Sequence, residues 1–166
     1  MARTARGQLT TWRSVRRIAG ALLLACMIGD AGADARSPTA LYLIPRGDSD
    51  RPLASVVLTA RPMTPDRLRR VIDEPIWRQT DVFELAQGQL AATIRVLRPY
   101  LQPSVDRGAN RYGSFTVIIE NAAGKEVAYL AAARVLAALA DAASTLDAER
   151  PAISDYFRAL ARRLGG

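Results

Sequence analysis

One continuous stretch, residues 112–146, constrains the fold of this 166-residue chain more than any other. Its first part, Phe115 to Glu120, is dominated by β-branched residues, which favour strands. A tight turn is expected over Asn121 to Gly124, because asparagine and glycine tolerate positive φ, and a second strand over Glu126 to Leu130 completes a hairpin. The alanine-rich segment from about Ala131 to Ser144 then predicts a helix. A sheet with helices packed against it is therefore the expected centre of the domain.

Two short apolar runs earlier in the chain predict further strands. Ala40 to Ile44 and Ala54 to Ala60 are rich in strand formers and are separated by a polar loop with proline and glycine, so an antiparallel pair is expected. Thr64, followed by a proline, marks the start of a helix, because a hydroxyl caps well and proline suits the first helical position. That helix should end near Glu74, because the next residue is proline.

The segment 81–98 has two interpretations. Asp81 and Glu84 resemble a capping box, and the apolar residues that follow recur at helical spacing, which predicts a helix. These apolar residues are Phe83, Ala86, Leu90, Ile94 and Leu97. Gly88 weakens this interpretation, because glycine costs about 1 kcal/mol relative to alanine inside a helix. A hairpin with its turn at residues 87–89 is the alternative.

The C-terminal segment predicts one more helix, which opens at Pro151 and carries an apolar stripe through Phe157 and Leu164. Residues 99–112 are expected to form a loop. Together the elements predict an α+β fold, with a mainly antiparallel sheet of about four strands and helices packed on one face. Residues 36–166 are enough for a single small domain of this kind.

The N-terminus has the order that is typical of a secretory signal peptide. Residues 1–17 carry five arginines and no acid, and residues 18–29 form an apolar run. Small residues follow, with Ala33-Asp34-Ala35 as the preferred cleavage site and Ala31-Gly32-Ala33 as the second. Residues 1–35 are therefore expected to be a signal peptide, and the protein is expected to be exported to the periplasm or to be associated with the bacterial envelope.

A lipidation site is the alternative to simple cleavage. Leu23-Leu24-Ala25-Cys26 resembles the bacterial lipobox, in which the cysteine is diacylated and becomes the new N-terminus, although Leu24 stands where a small residue is usual. In the other interpretation, Cys26 is one more apolar residue of the leader. The apolar run is shorter than the roughly 20 residues that cross a bilayer core. No transmembrane span is expected, so the predicted membrane contact depends on lipidation of Cys26.

Residue types exclude much of the usual enzyme chemistry. The chain has no histidine, and Cys26 is its single cysteine. Catalysis by Ser-His-Asp or Cys-His groups and the usual zinc sites are therefore excluded. No catalytic, metal or cofactor site is expected. An enzyme built from this chain would rely on carboxylates, and the acid pairs to consider are Asp73 with Glu74, at a helix end, and Glu120 with Glu126, which flank the hairpin turn and are expected to be exposed.

A basic cluster with one aromatic residue is the predicted interaction surface. It consists of Arg67, Arg70, Trp77 and Arg78. Nucleic-acid binding is not expected, because the leader carries part of the net charge of +7 and aromatic residues are sparse. The sequence favours an exported, non-enzymatic binding domain whose partner is an unidentified protein or envelope component. The alternative is a carboxylate-dependent hydrolase that acts on cell-wall or polysaccharide material.

Overall fold

The structure is a computed structural model that describes residues 37–47, 53–72, 79–103 and 113–165. Within these residues it is an α+β domain with six strands and four helices. The strands are β1 (Pro38–Pro45), β2 (Ser55–Thr59), β3 (Thr80–Glu84), β4 (Leu101–Gln102), β5 (Phe115–Asn121) and β6 (Gly124–Leu130). The helices are α1 (Pro65–Arg69), α2 (Gln87–Leu97), α3 (Ala132–Leu146) and α4 (Pro151–Gly165), with a 3₁₀ turn over Arg98–Tyr100. The predicted signal peptide, including Cys26, lies outside the described residues.

All six strands belong to one mixed sheet, in the order β3-β2-β1-β5-β6-β4. Its two central strands, β1 and β5, are antiparallel, and their register runs from Pro38 opposite Asn121 to Pro45 opposite Phe115. The pairs β1–β2, β5–β6 and β6–β4 are also antiparallel, whereas β2 and β3 run parallel. The parallel pair is possible because the chain crosses over through α1 between these two strands.

The predicted hairpin and the helix after it are confirmed. β5 and β6 pair from Phe115 opposite Leu130 to Asn121 opposite Gly124. Asn121 closes the turn, since its Oδ1 accepts hydrogen bonds from the backbone N–H groups of Ala123 and Gly124, each at 2.9 Å. The φ angle of Gly124 is 148°, which residues with a side chain rarely adopt. The turn chemistry is local, which explains why the sequence predicts it well.

The antiparallel pairing of β1 with β2 and the C-terminal helix are also confirmed. The predicted start of α1 is confirmed as well, since Thr64 Oγ1 accepts a hydrogen bond from the N–H of Arg67 at 3.2 Å. α1 ends at Arg69, however, earlier than the predicted end near Glu74. The chain turns there, and Ile72 becomes almost fully buried against the sheet.

The prediction of about four strands is wrong, because β3 and β4 complete a sheet of six. β3 occupies the expected start of the 81–98 helix and pairs with β2, with Val82 opposite Val57. This long-range pairing overrides the capping pattern of Asp81 and Glu84. β4 lies in the predicted 99–112 loop and has two residues, too few to show a strand periodicity.

The helix interpretation of residues 81–98 holds only from Gln87 onward, and the hairpin alternative is wrong, although its first strand overlaps β3. Thr80–Glu84 is a strand, and Gln87–Leu97 is a helix. The helix begins where Gln89 Oε1 accepts a hydrogen bond from the N–H of Ala86 at 3.1 Å. Leu90 and Leu97, two of the residues at helical spacing, are buried on its inner side. The turn that the hairpin alternative places at residues 87–89 is the first turn of α2.

The helices cover the two faces of the sheet unequally. α2, α3 and α4 pack on one face, here called the helix face, which includes Leu41 and Val117. α1 packs on the opposite face, here called the α1 face, where Leu68 contacts a smaller apolar cluster around Tyr42 and Val57. The expectation that helices pack on one face holds for three of the four, and α1 departs from it. β2 is consequently buried along its whole length, because both of its faces are covered.

Two leucines one turn apart on α3 test this packing. Leu139 is 1% exposed in the core of the helix face, whereas Leu136 is 44% exposed. We expect Leu139→Ala to lower the free energy of unfolding by about 2–5 kcal/mol, because it leaves a cavity. Leu136→Ala should lower it by less than about 1 kcal/mol. Urea denaturation of the two variants measures the difference, and equal losses would contradict the burial pattern of α3.

Candidate functional site

Polar side chains on the α1 face converge on Glu120, near the end of β5. Glu120 Oε2 accepts hydrogen bonds from Tyr42 Oη at 2.8 Å and from Arg67 Nη2 at 3.0 Å. Thr39 Oγ1 donates to the backbone carbonyl of Glu120 at 3.3 Å and accepts from Arg67 Nη2 at 3.4 Å. Glu120, Tyr42, Arg67 and Thr39 are called the Glu120 cluster below. The cluster ties α1 to the two central strands of the sheet.

Strand alternation, an irregularity in the β1–β5 register between Pro38 and Ala40, and one buried leucine bring these residues together. In the β1–β5 register, Ala40 lies opposite Glu120 and Tyr42 lies opposite Ile118. Residues opposite each other in a strand pair point to the same face, and for these two pairs it is the α1 face. Leu68 of α1 is buried against this face. The neighbouring Arg67 is thereby held above β5, within reach of the carboxylate.

The Glu120 carboxylate is held in its ionised form. Partial burial raises the pKa of Glu120, but hydrogen bonds from Tyr42 and Arg67, together with the charges of Arg67 and Lys125, outweigh burial and place the pKa below its ordinary value. Burial raises the pKa of Tyr42, and the hydrogen bond to Glu120 raises it further. At neutral pH the tyrosine therefore donates its proton in a hydrogen bond and the glutamate accepts it. Neither group is poised to act as a general acid or base near neutrality.

Glu126, the second acid of the hairpin, lies on the helix face. The β5–β6 register puts Ile119 opposite Glu126 and Lys125 opposite Glu120, so the two glutamates point to opposite faces. Glu126 accepts two hydrogen bonds from Arg98, at 3.0 and 2.9 Å. Its side chain is 46% exposed, as expected from the sequence, whereas that of Glu120 is 21% exposed. The sheet itself separates the two carboxylates.

Several other acids in the described residues have partners from a different element or a neighbouring turn. Asp147 bonds to Arg158 and accepts from Ser154 at 2.7 Å, and these hydrogen bonds lower the pKa of Asp147. Asp81 accepts a hydrogen bond from Tyr156 at 2.7 Å. Within the described ranges, no group of three or more His, Cys, Asp or Glu side chains could hold a metal ion. These contacts connect elements of the fold.

The predicted interaction surface is only partly described. Arg67 points inward to the Glu120 cluster, and its side chain is 17% exposed. Arg70 is exposed, and its Nε donates to the backbone carbonyl of Asp66 at 3.3 Å. Trp77 and Arg78 lie outside the described residues, as do Asp73 and Glu74.

Sequence reasoning missed three residues around Glu120. Tyr42 and Thr39 belong to β1, and their partnership with Glu120 depends on the β1–β5 pairing, which no local motif reveals. Lys125 stands opposite Glu120 across the hairpin, and its Nζ lies 3.5 Å from the backbone carbonyl of Arg70. A signal for Lys125 was present, because a turn over residues 121–124 sets the cross-strand register.

Comparison of the chain with protein-family models, with curated proteins and with solved structures gave no match. None of the helices in the described part of the chain has the length and apolar character that crossing a bilayer requires.

Replacing Glu120 by glutamine tests the cluster through its pH dependence. Because folding lowers the pKa of Glu120, the ion pair stabilises the fold above the ordinary pKa of 4.5, and this contribution is lost as the pH falls through the folded value. We expect Glu120→Gln to lower the free energy of unfolding by about 1–3 kcal/mol near neutral pH. The difference from the wild type should shrink as the pH falls toward about 3.

Glu126→Gln is the matched control for this experiment. It makes the same change on the neighbouring strand, but the pair of Glu126 with Arg98 is about half exposed. The expected loss is below about 1 kcal/mol. Urea titrations at several pH values compare the two variants. A difference for Glu120→Gln that stays constant with pH would contradict an ionised Glu120 as the stabilising group.

Proposed function

We propose that this chain is an exported, non-enzymatic bacterial domain that binds a protein or another component of the cell envelope. Its place is the periplasm or the envelope, reached through the leader of residues 1–35. Lipidation of Cys26 is the alternative to cleavage after Ala35, and it would attach the domain to a membrane through a flexible tether. The function lies in a surface and not in a catalytic centre.

The separation of Glu120 from Glu126 is the observation that carries this proposal. A glycosidase needs two carboxylates on either side of one bond, about 5–10 Å apart, and one of them commonly has a raised pKa. Here the two glutamates point to opposite faces of the sheet, each with its own arginine. The pKa of Glu120 is lowered, which is unsuitable for a general acid at neutral pH. This favours binding over the hydrolase alternative.

Incubation with cell-wall material separates the two classes of function. The processed protein, recovered from a Gram-negative host, is mixed with a total envelope fraction and, separately, with purified peptidoglycan sacculi. We expect it to sediment with the envelope fraction and to release no soluble sugar from the sacculi. Glu126→Gln should leave sedimentation unchanged, because its exposed ion pair contributes little to the fold.

Release of soluble muropeptides that is abolished by Glu120→Gln or by Glu126→Gln would overturn the proposal in favour of a hydrolase. Failure to sediment with the envelope would also count against it.

The intact mass of the protein after fractionation of the same host tests export. Cleavage after Ala35 gives a soluble periplasmic species that begins at Arg36. Lipidation gives a membrane-bound species that begins at an acylated Cys26, and Cys26→Ser should then release it from the membrane fraction. Either mass agrees with export, whereas an unprocessed cytoplasmic chain would contradict it.

A further inference from the structure

Residues 62–72, which contain α1, lie over the middle strands of the sheet on the α1 face. Two of their side chains, Leu68 and Ile72, are 7% and 1% exposed. Beneath them, Tyr42 and Val57 are fully buried in the same apolar cluster. The segment therefore covers apolar side chains that belong to β1 and β2.

The segment makes backbone hydrogen bonds within itself. The N–H of Leu68 donates to the carbonyl of Thr64 at 3.0 Å. The N–H groups of Val71 and Ile72 both donate to the carbonyl of Leu68, at 3.0 and 2.9 Å. A helix as short as α1 is not stable alone in water, so these bonds are expected to break when the segment leaves the sheet.

The apolar packing of α1 is small beside that of the other helices. Within the described residues, α2 and α4 each bury four residues and α3 buries six. In α1 itself, Leu68 is buried, and Ile72 follows in the turn after the helix. Because local opening costs least where few apolar contacts are lost, α1 is the helix expected to open first.

Polar side chains add a second connection between this segment and the sheet. Arg67 Nη2 donates to Glu120 Oε2 at 3.0 Å and to Thr39 Oγ1 at 3.4 Å. Lys125 Nζ donates to the carbonyl of Arg70 at 3.5 Å, and its charge also acts on Glu120. The Arg67–Glu120 pair is partly buried, so salt screens it less than a pair on the surface.

We propose that residues 62–72 form a lid, which opens from the sheet while the rest of the domain stays folded, and that the Arg67–Glu120 ion pair is its latch. Opening uncovers the apolar side chains of β1 and β2 beneath the lid. The N-terminal end of the lid is fixed at Arg61, whose N–H donates to Thr59 Oγ1 at 3.2 Å. This conformational change goes beyond the proposed binding function and does not depend on it.

Hydrogen exchange in dilute urea tests the lid on the processed wild-type protein. Nuclear magnetic resonance follows the amides of Leu68 and Ile72 and, for comparison, those of β1 and β5. We expect the lid amides to be protected from exchange. Their exchange rates should rise with urea less than about a third as steeply as those of β1 and β5, because opening the lid exposes little surface.

Two glutamine variants test the latch by the same measurement without urea. Glu120→Gln should speed exchange of the Leu68 and Ile72 amides about 10-fold, because the hydrogen bonds to a charged group are weakened. Glu126→Gln is the matched control. Its ion pair with Arg98 lies on the helix face and stays formed when the lid opens, so the same amides should change by less than about 2-fold.

Equal urea dependence of the lid and of the central strands would overturn the inference, since α1 would then open only with the whole domain. Unprotected amides at Leu68 and Ile72 would contradict a closed lid. Equal effects of the two variants on these amides would overturn the role of the latch. The urea series needs no variant, so it decides on the lid even where Glu120→Gln fails to fold.

Discussion

The antiparallel pairing of β1 with β5 is the constraint on which the other parts of the structure depend. β1 is buried on both faces: Leu41 and Leu43 point to the core beneath α2, α3 and α4, while Ala40 and Tyr42 contact the α1 cluster. A strand covered in this way loses apolar contacts on two sides when its register slips by one residue. The pairing also decides where Glu120 stands, because it sets which β1 side chains share its face.

Local signals predicted the elements whose residues lie close together in sequence. The hairpin of β5 and β6 follows from a β-branched run and from Asn121, whose side chain closes the turn by itself. The start of α1 is equally local, since Thr64 accepts a hydrogen bond from the N–H of Arg67, three residues further along the chain. The apolar stripe through Phe157 on α4 could be predicted from helical periodicity alone, because such a stripe packs against the core of the domain.

Elements held by distant partners were mispredicted or missed. Thr80–Glu84 is an edge strand because β2 offers it a parallel partner, and the local capping pattern of Asp81 and Glu84 carries no information about that pairing. The short β4 is recognisable as a strand only through its bonds to β6. The same holds for the candidate site. Arg67 and Glu120 could each be named as candidates from the sequence, but 53 positions separate them. Their contact depends on Leu68 of α1, which packs against the sheet.

The two faces of the sheet explain why Glu120 and Glu126 contribute to the fold separately. Alternation along neighbouring strands sends Glu120 to α1 and Glu126 to Arg98, so each carboxylate joins a different helical element to the sheet. Bringing both to one substrate would require a change of register, and that would also turn the apolar face of β5 or β6 away from the core.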